Sequence, residues 1–366
     1  MTVTSSSTAT TASVGYRLER VGLVMEPEPG NDLEVEGVLN PGSGRGPDGE
    51  LYLLPRVVAA GNVSRVGLAR VIVRDGVPVG VERQGVVLEP DRQWERGAGH
   101  AGVEDPRVTF LADLGLHVMT YVAYGPLGPR TAIAVSEDLR EWRRLGPVTY
   151  AYDDALDADL NLVHNKDTVF FPHAVTAPDG VRSYAVLHRP MWGIGETVPG
   201  EEPHVPHGLP DTRESIWIGY VPVEDVQRDL AELTHWRQNR FVAGPEFPFE
   251  ELKIGGGPAP YRVPEGWLLL HHGVTGRIDG AFAQQKHVNY AAGMMLLDAD
   301  DPSRVLARSS EPVLSAETDW EKTGIVPNVV FPTAIEEIDG KAYVFYGMAD
   351  TKIGAAVLIA DSVGAG

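Results

Sequence analysis

The chain has 366 residues, of which 43% are hydrophobic, and its formal net charge at pH 7 is −20. This length suits two or three average domains or one large all-β architecture, and no apolar run is long enough for a transmembrane helix. The negative charge argues against a nucleic acid or an anionic membrane as partner, and the lack of cysteine excludes disulfides, thiolate nucleophiles and Cys-ligated metals.

The first residues, MTVTSSSTATTASVG, have neither the basic region nor the apolar region of a secretory signal. We predict that residues 1–14 form a disordered tail on a cytoplasmic protein. Residues 15–366 are predicted to form a single folded domain.

A glycine turn that leads into a β-strand pattern recurs five times along the chain, at residues 49–58, 115–123, 180–188, 266–273 and 340–347. Each copy is followed by a second strand pattern with smaller side chains, at residues 65–73, 130–136, 216–222, 290–297 and 353–360. Two segments that end in tryptophan, SEDLREW (136–142) and AELTHW (231–236), are predicted to be equivalent turns.

Five copies of a strand-rich unit predict an all-β fold, a five-bladed β-propeller. A pair of β-sandwiches is the alternative. In a propeller, the functional residues would come from equivalent points of several blades around a central channel.

Charged residues interrupt several of the strand patterns. GVEDPRV contains Glu104 and Asp105, and HNKDTVFFP contains Lys166 and Asp167. Arg56, His188, Arg189, His271 and His272 lie at similar positions. Each of them alone fits a strand-end salt bridge, but together they predict one site.

Other motifs exclude several kinds of chemistry. KIGGGPAPY (253–261) lacks the spacing of a phosphate-binding loop and is predicted to be a rigid loop. The histidines lack metal-ligand spacing, and no GxSxG motif occurs, so no metal and no serine nucleophile are expected.

One plausible acid, Asp105 or Glu104, therefore accompanies several cations. Inverting hydrolysis needs a second carboxylate to activate water, whereas inorganic phosphate as nucleophile needs cations to hold it. The pattern favours phosphorolysis. Hydrolysis stays open, because a base could come from Asp153, Asp154, Glu214, Asp279 or Asp350.

Eight motifs in order resemble glycoside hydrolase family 130, which contains β-mannoside phosphorylases and some β-mannosidases. They are GVEDPRV, NKD…FFP, LHRP, KIGGGPAPY, GWLLLHHGV, DPSRVLARSSEPVL, VPNVVFPTA and FYGMADTKIGAA. The resemblance implies a five-bladed propeller, in agreement with the repeats.

The resemblance also implies an activity. Inorganic phosphate would cleave a β-mannoside (mannosyl-glucose, mannobiose or a β-manno-oligosaccharide) with inversion, giving α-mannose 1-phosphate and a shortened acceptor sugar. An inverting β-mannosidase is the alternative. No cofactor is implied beyond phosphate as co-substrate, and the partners are small molecules, with a homo-oligomer left open.

The resemblance assigns roles to individual residues. Asp105 would be the catalytic acid, its proton relayed through the 3-hydroxyl of the mannosyl unit, and Glu104 would brace the turn. The phosphate-binding residues would be Arg65, Arg130, Lys166, His272 and Tyr346. The substrate-binding residues would be Asn40, Arg56, Glu104, His188, Arg189 and Asp350.

Residues 191–215 form an insertion that is rich in proline and glycine. We predict that it folds over the channel mouth, where Trp192, His204 or His207 contacts the acceptor sugar. A solvent-exposed loop on the outer rim is the alternative.

Overall fold

The computed structural model describes residues 14–97, 101–192, 205–209, 211–279 and 285–361. Within these residues the chain is nearly all β, with two short helices, α1 (Val223–Arg228) and α2 (Asp319–Lys322). No helix of this part is long and apolar enough to cross a membrane. Val14, the last residue of the predicted tail, is buried against the hydrophobic core.

The strands, in chain order, are β1 (Tyr16–Met25), β2 (Gly37–Arg45), β3 (Leu51–Ala59), β4 (Val63–Arg74), β5 (Val77–Leu88), β6 (Ala101–Leu111), β7 (Leu116–Gly125), β8 (Gly128–Ser136), β9 (Arg143–Pro147), β10 (Thr149–Tyr150), β11 (His164–Phe170), β12 (Val175–Thr176), β13 (Arg182–Met191), β14 (Ile216–Pro222), β15 (His235–Ala243), β16 (Lys253–Gly256), β17 (Tyr261–Val263), β18 (Gly266–Arg277), β19 (His287–Leu297), β20 (Val305–Arg308), β21 (Val330–Ile338), β22 (Lys341–Met348) and β23 (Lys352–Ala360). Short 3₁₀ turns lie at Gln93–Glu95, Leu160–Leu162, Leu230–Thr234 and Pro248–Glu250.

Twenty of these strands form antiparallel units of four strands each, and the short strands β10, β12 and β17 pair with β15, β13 and β18. Unit 1 is β2–β5, and unit 2 is β6–β9. Unit 3 contains β11, β13, β14 and β15, and unit 4 contains β16, β18, β19 and β20. Unit 5 contains β21, β22 and β23, and its fourth strand is β1 from the other end of the chain.

The five repeats of the sequence are confirmed as strands. The glycine-led patterns are the second strands of the units, β3, β7, β13, β18 and β22, and the patterns that follow them are the third strands. The two tryptophan turns are also equivalent. Trp142 and Trp236 each precede or begin a fourth strand and donate the indole N–H to the carbonyl three residues earlier, at 2.9 and 2.8 Å.

The first strands of units 1 to 3 share a bulge that the sequence did not reveal. Asn40, Asp105 and Asp167 occupy it with φ of 44°, 47° and 53°, and the pairing register shifts beside each of them. Asn and Asp tolerate this left-handed conformation better than most residues. The bulge turns three polar side chains out of the regular strand pattern.

The prediction of a loop at residues 253–261 was wrong in part, because this segment forms β16 and β17. β16 is the first strand of unit 4. A Cβ at Gly255 would lie 2.1 Å from Asp167 Oδ2 and 2.5 Å from the His272 ring. Glycine is therefore required for close approach between two strands.

The hydrophobic core lies between neighbouring units. One cluster of buried residues joins units 1 and 2, and further clusters join 2 to 3, 3 to 4 and 4 to 5. A fifth cluster joins unit 5 back to unit 1 through residues such as Phe345 and Leu53. The units therefore follow one another in a closed order.

A buried glutamate recurs just before the first strand of three units. Glu95, Glu250 and Glu321 each accept two backbone N–H groups from the residues three and four positions earlier. Each also binds an arginine of the fourth strand and a ring of the second strand; the arginines are Arg144, Arg308 and Arg20, and the rings are those of Tyr121, His271 and Tyr346. We call this arrangement the glutamate clamp.

Candidate active site

The carboxylate of Asp105 lies between an amide and a guanidinium. Its Oδ1 accepts hydrogen bonds from Asn40 Nδ2 at 2.8 Å and from Arg56 Nη1 at 3.2 Å. The three residues come from different strands, β6, β2 and β3. Only 12% of the Asp105 side chain is exposed, so a small molecule, rather than a macromolecule, could reach it.

Glu104 is buried beside Asp105 and has different partners. Its Oε1 accepts from Arg56 Nη2 at 2.9 Å, and its Oε2 lies 3.5 Å from Lys166 Nζ. Lys166 Nζ also lies 5.7 Å from the centre of the Tyr124 ring. Glu104 thus connects the two cations that flank Asp105.

The pKa of Asp105 is lowered from the ordinary value of an aspartate, whereas the pKa of Asp350 is raised. Burial favours the neutral form of Asp105, but the charges of Arg56 and Lys166, with the Asn40 hydrogen bond, outweigh it and lower the pKa. Burial raises the pKa of Asp350 to about 7 against the opposing charge of Arg56, and the negative charge of Asp105 adds to the increase. Near neutral pH, Asp105 is ionised while Asp350 retains a proton part of the time.

Asp167, at the equivalent bulge of unit 3, contacts two arginines and a histidine. Its Oδ2 accepts from Arg189 Nε at 2.5 Å and lies 3.5 Å from His272 Nε2, and its Oδ1 lies 3.8 Å from Arg107 Nη2. Burial opposes ionisation of Asp167, yet these neighbours hold its pKa below the ordinary range. Burial keeps the pKa of His272 well below 6.5, so His272 is neutral.

Lys253 and Glu214 extend this network; Glu214 was considered only as one possible base for hydrolysis, and Lys253 was missed as a site residue. Glu214 forms an ion pair with Arg189, and one of its oxygens lies 3.9 Å from Lys253 Nζ. Burial lowers the pKa of Lys253, and the nearby cations Arg189 and Lys166 lower it further. Arg107, Asp167 and Lys253 stand inside the motifs GVEDPRV, HNKD and KIGGG, so the signal was present, but nothing local distinguished them from structural charges.

Eight of the predicted site residues are brought together by these contacts: Asn40, Arg56, Glu104, Asp105, Lys166, Arg189, His272 and Asp350. They come from units 1 to 5. The structure thus brings side chains of all five units together, and their role as an active site stays a prediction.

His188 and Tyr346 lie elsewhere. His188 is buried between Asn165 and Asn239, at 2.9 and 3.1 Å, and burial lowers its pKa to about 3. The Tyr346 hydroxyl donates to Glu321 at 3.0 Å in a glutamate clamp. Both side chains make contacts that are typical of a protein core.

Arg65 and Arg130 have few partners within the described structure. Arg65 lies 4.0 Å from Glu89, and its Nε and Nη1 are buried with no hydrogen-bond partner. Arg130 donates to the carbonyl of Asn161 at 3.0 Å, and its Nε is likewise buried without a partner. Guanidinium nitrogens of this kind are suited to bind an anion.

The insertion lies largely outside the described residues, including His204. Trp192 is 5% exposed and packs against Trp217 in the core, so the prediction that it contacts an acceptor sugar was wrong. His207 is exposed, and its backbone N–H donates to Leu156 O at 3.0 Å. Among the described residues, no group of three His, Asp or Glu side chains could hold a metal ion.

Comparison with known proteins identifies the family. The family model described as beta-1,4-mannooligosaccharide phosphorylase, glycoside hydrolase family 130, matches residues 49–196 and 217–363. A 1,2-β-oligomannan phosphorylase of Thermoanaerobacter sp. (strain X514) is 30% identical over 300 residues, which are 81% of this chain and 79% of the relative. A β-1,4-mannooligosaccharide phosphorylase of Ruminococcus albus is 29% identical over 75% of this chain and 66% of its own length.

Solved structures agree on the fold. The β-1,2-mannobiose phosphorylase of Listeria innocua, solved with β-1,2-mannobiose, has a TM-score of 0.67 at 21% identity and covers 95% of this chain and 97% of its own. A second solved structure is described under the GH130 family of mannoside phosphorylases, as containing glycoside hydrolases that target β-1,2 mannosidic linkages in Candida mannan. Its TM-score is 0.68 at 24% identity, over 94% of this chain and 93% of its own. The family model matches most of this chain, and the Thermoanaerobacter relative is 30% identical over 81% of it, so the chain is an enzyme of glycoside hydrolase family 130.

Proposed function

We propose that this enzyme is an inverting β-mannoside phosphorylase, which uses inorganic phosphate to release α-mannose 1-phosphate and a shortened acceptor sugar. The observation that carries the proposal is an ionised acid, Asp105, surrounded by cations on a protein of net charge −20. The buried and unpartnered nitrogens of Arg65 and Arg130 add capacity for an anion. These cations are suited to bind an anionic co-substrate, whereas water as the nucleophile does not need them.

Each group has a role in this reaction. Asn40, Arg56 and Asp350 would hold the mannosyl unit, and Lys166, with Arg65 and Arg130, would hold phosphate on the face of C1 opposite the leaving oxygen. The new C1–oxygen bond forms as the glycosidic bond breaks, and the leaving oxygen takes a proton from Asp105, relayed through the 3-hydroxyl of the sugar.

The low pKa of Asp105 is consistent with this role once phosphate is bound. A phosphate dianion beside Lys166 would offset the positive charge that favours the Asp105 carboxylate. The pKa of Asp105 would then rise, and the carboxyl could hold the proton that it must donate. Binding of the nucleophile would thereby prepare the acid.

The names of the relatives support the substrate class. The Thermoanaerobacter protein is a phosphorylase of 1,2-β-oligomannan, and the Ruminococcus albus protein is one of β-1,4-mannooligosaccharides. A Bacteroides fragilis relative, 28% identical, acts as a 4-O-β-D-mannosyl-D-glucose phosphorylase. Because the linkages differ, we propose β-mannosides as a class, and a screen of acceptor sugars with α-mannose 1-phosphate would identify the acceptor.

Inverting hydrolysis is the second candidate. Asp350, with a pKa near 7 and close to the charges of Asp105 and Arg56, has the proton affinity of a general base. Hydrolysis would require Asp350 to activate water on the face opposite the acid. The two candidates differ in whether cleavage depends on phosphate.

The test is cleavage of β-1,2- and β-1,4-mannobiose with and without inorganic phosphate. We expect cleavage only with phosphate, and α-mannose 1-phosphate as product. Free mannose released at the same rate without phosphate would establish hydrolysis instead.

The anion site is tested by the variants Lys166→Ala and Arg130→Ala. Charge-assisted contacts are worth about 1.5–3 kcal/mol, so the KM for phosphate should rise about tenfold or more, with a much smaller change for the mannoside. Arg182→Ala, which removes a 66% exposed arginine, is the matched control. Unchanged phosphate saturation in both variants would make the two side chains structural.

We also propose that residues 15–366 are one five-bladed β-propeller. Two observations support it: the cores between consecutive units continue from unit 5 to unit 1, and β1 completes the unit formed by the C-terminal strands. The site lies where the bulged first strands meet, as at the central channel of a propeller.

A further inference from the structure

Three cations of the site lie side by side. Lys166 and Arg189 are directly paired across β11 and β13, and Lys253 is close enough for both to disfavour its protonation. Like charges directly opposite each other on neighbouring strands are unfavourable unless counter-ions accompany them. The cluster therefore needs negative charge, either from the protein or from a ligand.

Among the described residues, three carboxylates form ion pairs with these cations, and one of them differs from the others. Glu104 and Asp167 belong to strands, and 3% of each side chain is exposed. Glu214 lies on the connection before β14, pairs with Lys253 by an isolated bridge, and has 17% of its side chain exposed. Of the three, Glu214 can rotate away with the least disturbance of the fold.

Glu214 also occupies the cations that an anion would use. Arg189 forms one ion pair with Asp167 through Nε and another with Glu214 through Nη1. Lys253 Nζ lies 3.9 Å from the same Glu214 oxygen. Rotation of Glu214 would leave the Nη1 of Arg189 and the ammonium of Lys253 next to Lys166. A dianion would satisfy these groups better than one carboxylate does.

We propose that Glu214 is a built-in competitor of phosphate, which occupies Arg189 and Lys253 until phosphate displaces it. Glu214 thereby sets the phosphate concentration that the enzyme requires. The inference rests on the proposed phosphorolysis. It adds Arg189 and Lys253 to the phosphate site and makes Glu214 a residue that acts through them.

The physical consequence is a reduced apparent affinity. The apparent dissociation constant equals the intrinsic one divided by the fraction of molecules whose site is free, so a site that Glu214 occupies about nine-tenths of the time binds phosphate about tenfold more weakly. Removal of the Glu214 charge should recover this factor. Removal of this charge should not change the KM for the mannoside.

The experiment compares the full-length enzyme with Glu214→Gln and, as control, Glu251→Gln, which makes the same chemical change at an exposed glutamate of the neighbouring loop. In Glu214→Gln we expect the KM for phosphate to fall about tenfold, with the KM for the mannoside within twofold of its original value. Inorganic sulfate should inhibit the variant more strongly than the unaltered enzyme. Glu251→Gln should match the unaltered enzyme.

Other outcomes overturn the inference. If the unaltered enzyme requires phosphate and Glu214→Gln has an equal or higher KM for phosphate, Glu214 is no competitor, although phosphorolysis stands. If the unaltered enzyme cleaves mannosides without phosphate, phosphorolysis fails, and the inference fails with it. Should Glu214→Gln be poorly folded by circular dichroism, Glu214→Asp, whose shorter side chain withdraws the charge, is expected to lower the same KM by a smaller factor, and an unchanged KM there counts against the inference.

Discussion

Asp105 shows how a single backbone conformation can position the group that we propose as the catalytic acid. Its φ of 47° interrupts the pairing of β6 and β7 and turns its carboxylate toward Asn40 and Arg56. Glu104, one residue earlier, stays in register and points to Lys166. Two adjacent carboxylates thus acquire different partners.

Replacement of Asp105 by Asn should remove the proton donor and keep the shape and the left-handed backbone. We expect turnover on a mannoside with a poor leaving group to fall by about 10²–10⁴. Glu104→Gln should be milder, because Glu104 contributes charge and not the proton. Steady-state kinetics of the two variants, with folding verified by thermal melting, checks this, and the reverse ranking would move the acid to Glu104.

Asp350 should make stability depend on pH. Its pKa is about 7 in the folded protein against an ordinary value of 3.8, so the folded state binds the proton more tightly than the unfolded state. This contribution is fully present below about pH 3.8 and is lost as the pH rises through about 7. As the pH rises from about 5 to about 8.5, the melting temperature of Asp350→Asn should therefore increase relative to that of the unaltered protein.

The control for this prediction is Asp339→Asn, which changes an exposed aspartate in the same left-handed conformation, with φ of 48°. Its melting temperature should follow that of the unaltered protein at every pH. A constant difference between Asp350→Asn and the unaltered protein across the range would contradict the raised pKa.

The sequence indicated most of the residues that meet at the site, because motif positions such as Asp105 and Lys166 stand out against apolar strands. It could not separate His188 from Arg189, its neighbour in the chain. On a strand, successive side chains point to opposite faces, so His188 lies between core asparagines while Arg189 reaches Asp167. Which face leads to the site depends on packing between units, which no local pattern shows.

At the scale of the element, the glutamate clamp joins the segment before the first strand of a unit to its second and fourth strands. In unit 5 the buried Glu321 joins the chain before β21 to Arg20 of β1 and Tyr346 of β22. The clamps of units 2 and 4 repeat this arrangement with Arg144 and Arg308. Because a buried carboxylate without partners is strongly unfavourable, each clamp needs all of its donors.

Tyr346→Phe decides between the structural position of Tyr346 and the phosphate contact that the resemblance implies. Loss of a buried hydrogen bond to Glu321 should reduce the free energy of unfolding by about 1–3 kcal/mol, while the KM for phosphate stays the same. Urea denaturation and phosphate saturation measure the two effects. Tyr152→Phe, which removes an exposed hydroxyl bonded to Asp157, is the control.

A rise in the KM for phosphate with unchanged stability would place Tyr346 at the anion site instead.

The second and third strands of every unit were predictable, since each pair follows a glycine turn and is rich in β-branched and aromatic residues. The first strands were not, because segments such as GVLNPGSGR and KIGG contain glycine, proline and bulges in place of an alternating pattern. The clamps share a short motif that is visible in the sequence. An aromatic residue directly precedes the glutamate, and an acidic residue lies four positions before it, as in DRQWE, EFPFE and ETDWE. Their arginine partners are too far away in the sequence to be recognised.

At the scale of the whole molecule, the two ends of the chain meet in one sheet. β1 pairs with β23 from Tyr16 opposite Ala360 to Met25 opposite Ile353, and Leu18 joins the core between units 4 and 5. Asp350 follows β22 in the same unit and faces Arg56 of unit 1. The pairing of the two ends of the chain and the geometry of the site are therefore coupled.

Deletion of β1 should accordingly remove both stability and activity. We expect a protein that begins at residue 26 to lose cooperative thermal unfolding, because its fifth unit has an exposed edge and Glu321 lacks Arg20. A protein that begins at residue 14 is the matched control and should melt like the full chain. Calorimetry and phosphate-dependent cleavage check both proteins, and a stable, active protein without β1 would show that closure is dispensable.

The closure also has a consequence for how the protein is made. Among the strands described, β1 is synthesised before all the others and its partner β23 after all the others. While translation proceeds, the apolar side of β1 has no sheet to join, and the third and fourth units can form before the fifth is complete. β1 therefore stays unpaired until β23 has been synthesised, so slow elongation between the fourth and fifth units would prolong that exposure, and a circular permutant that begins at β21 would avoid it.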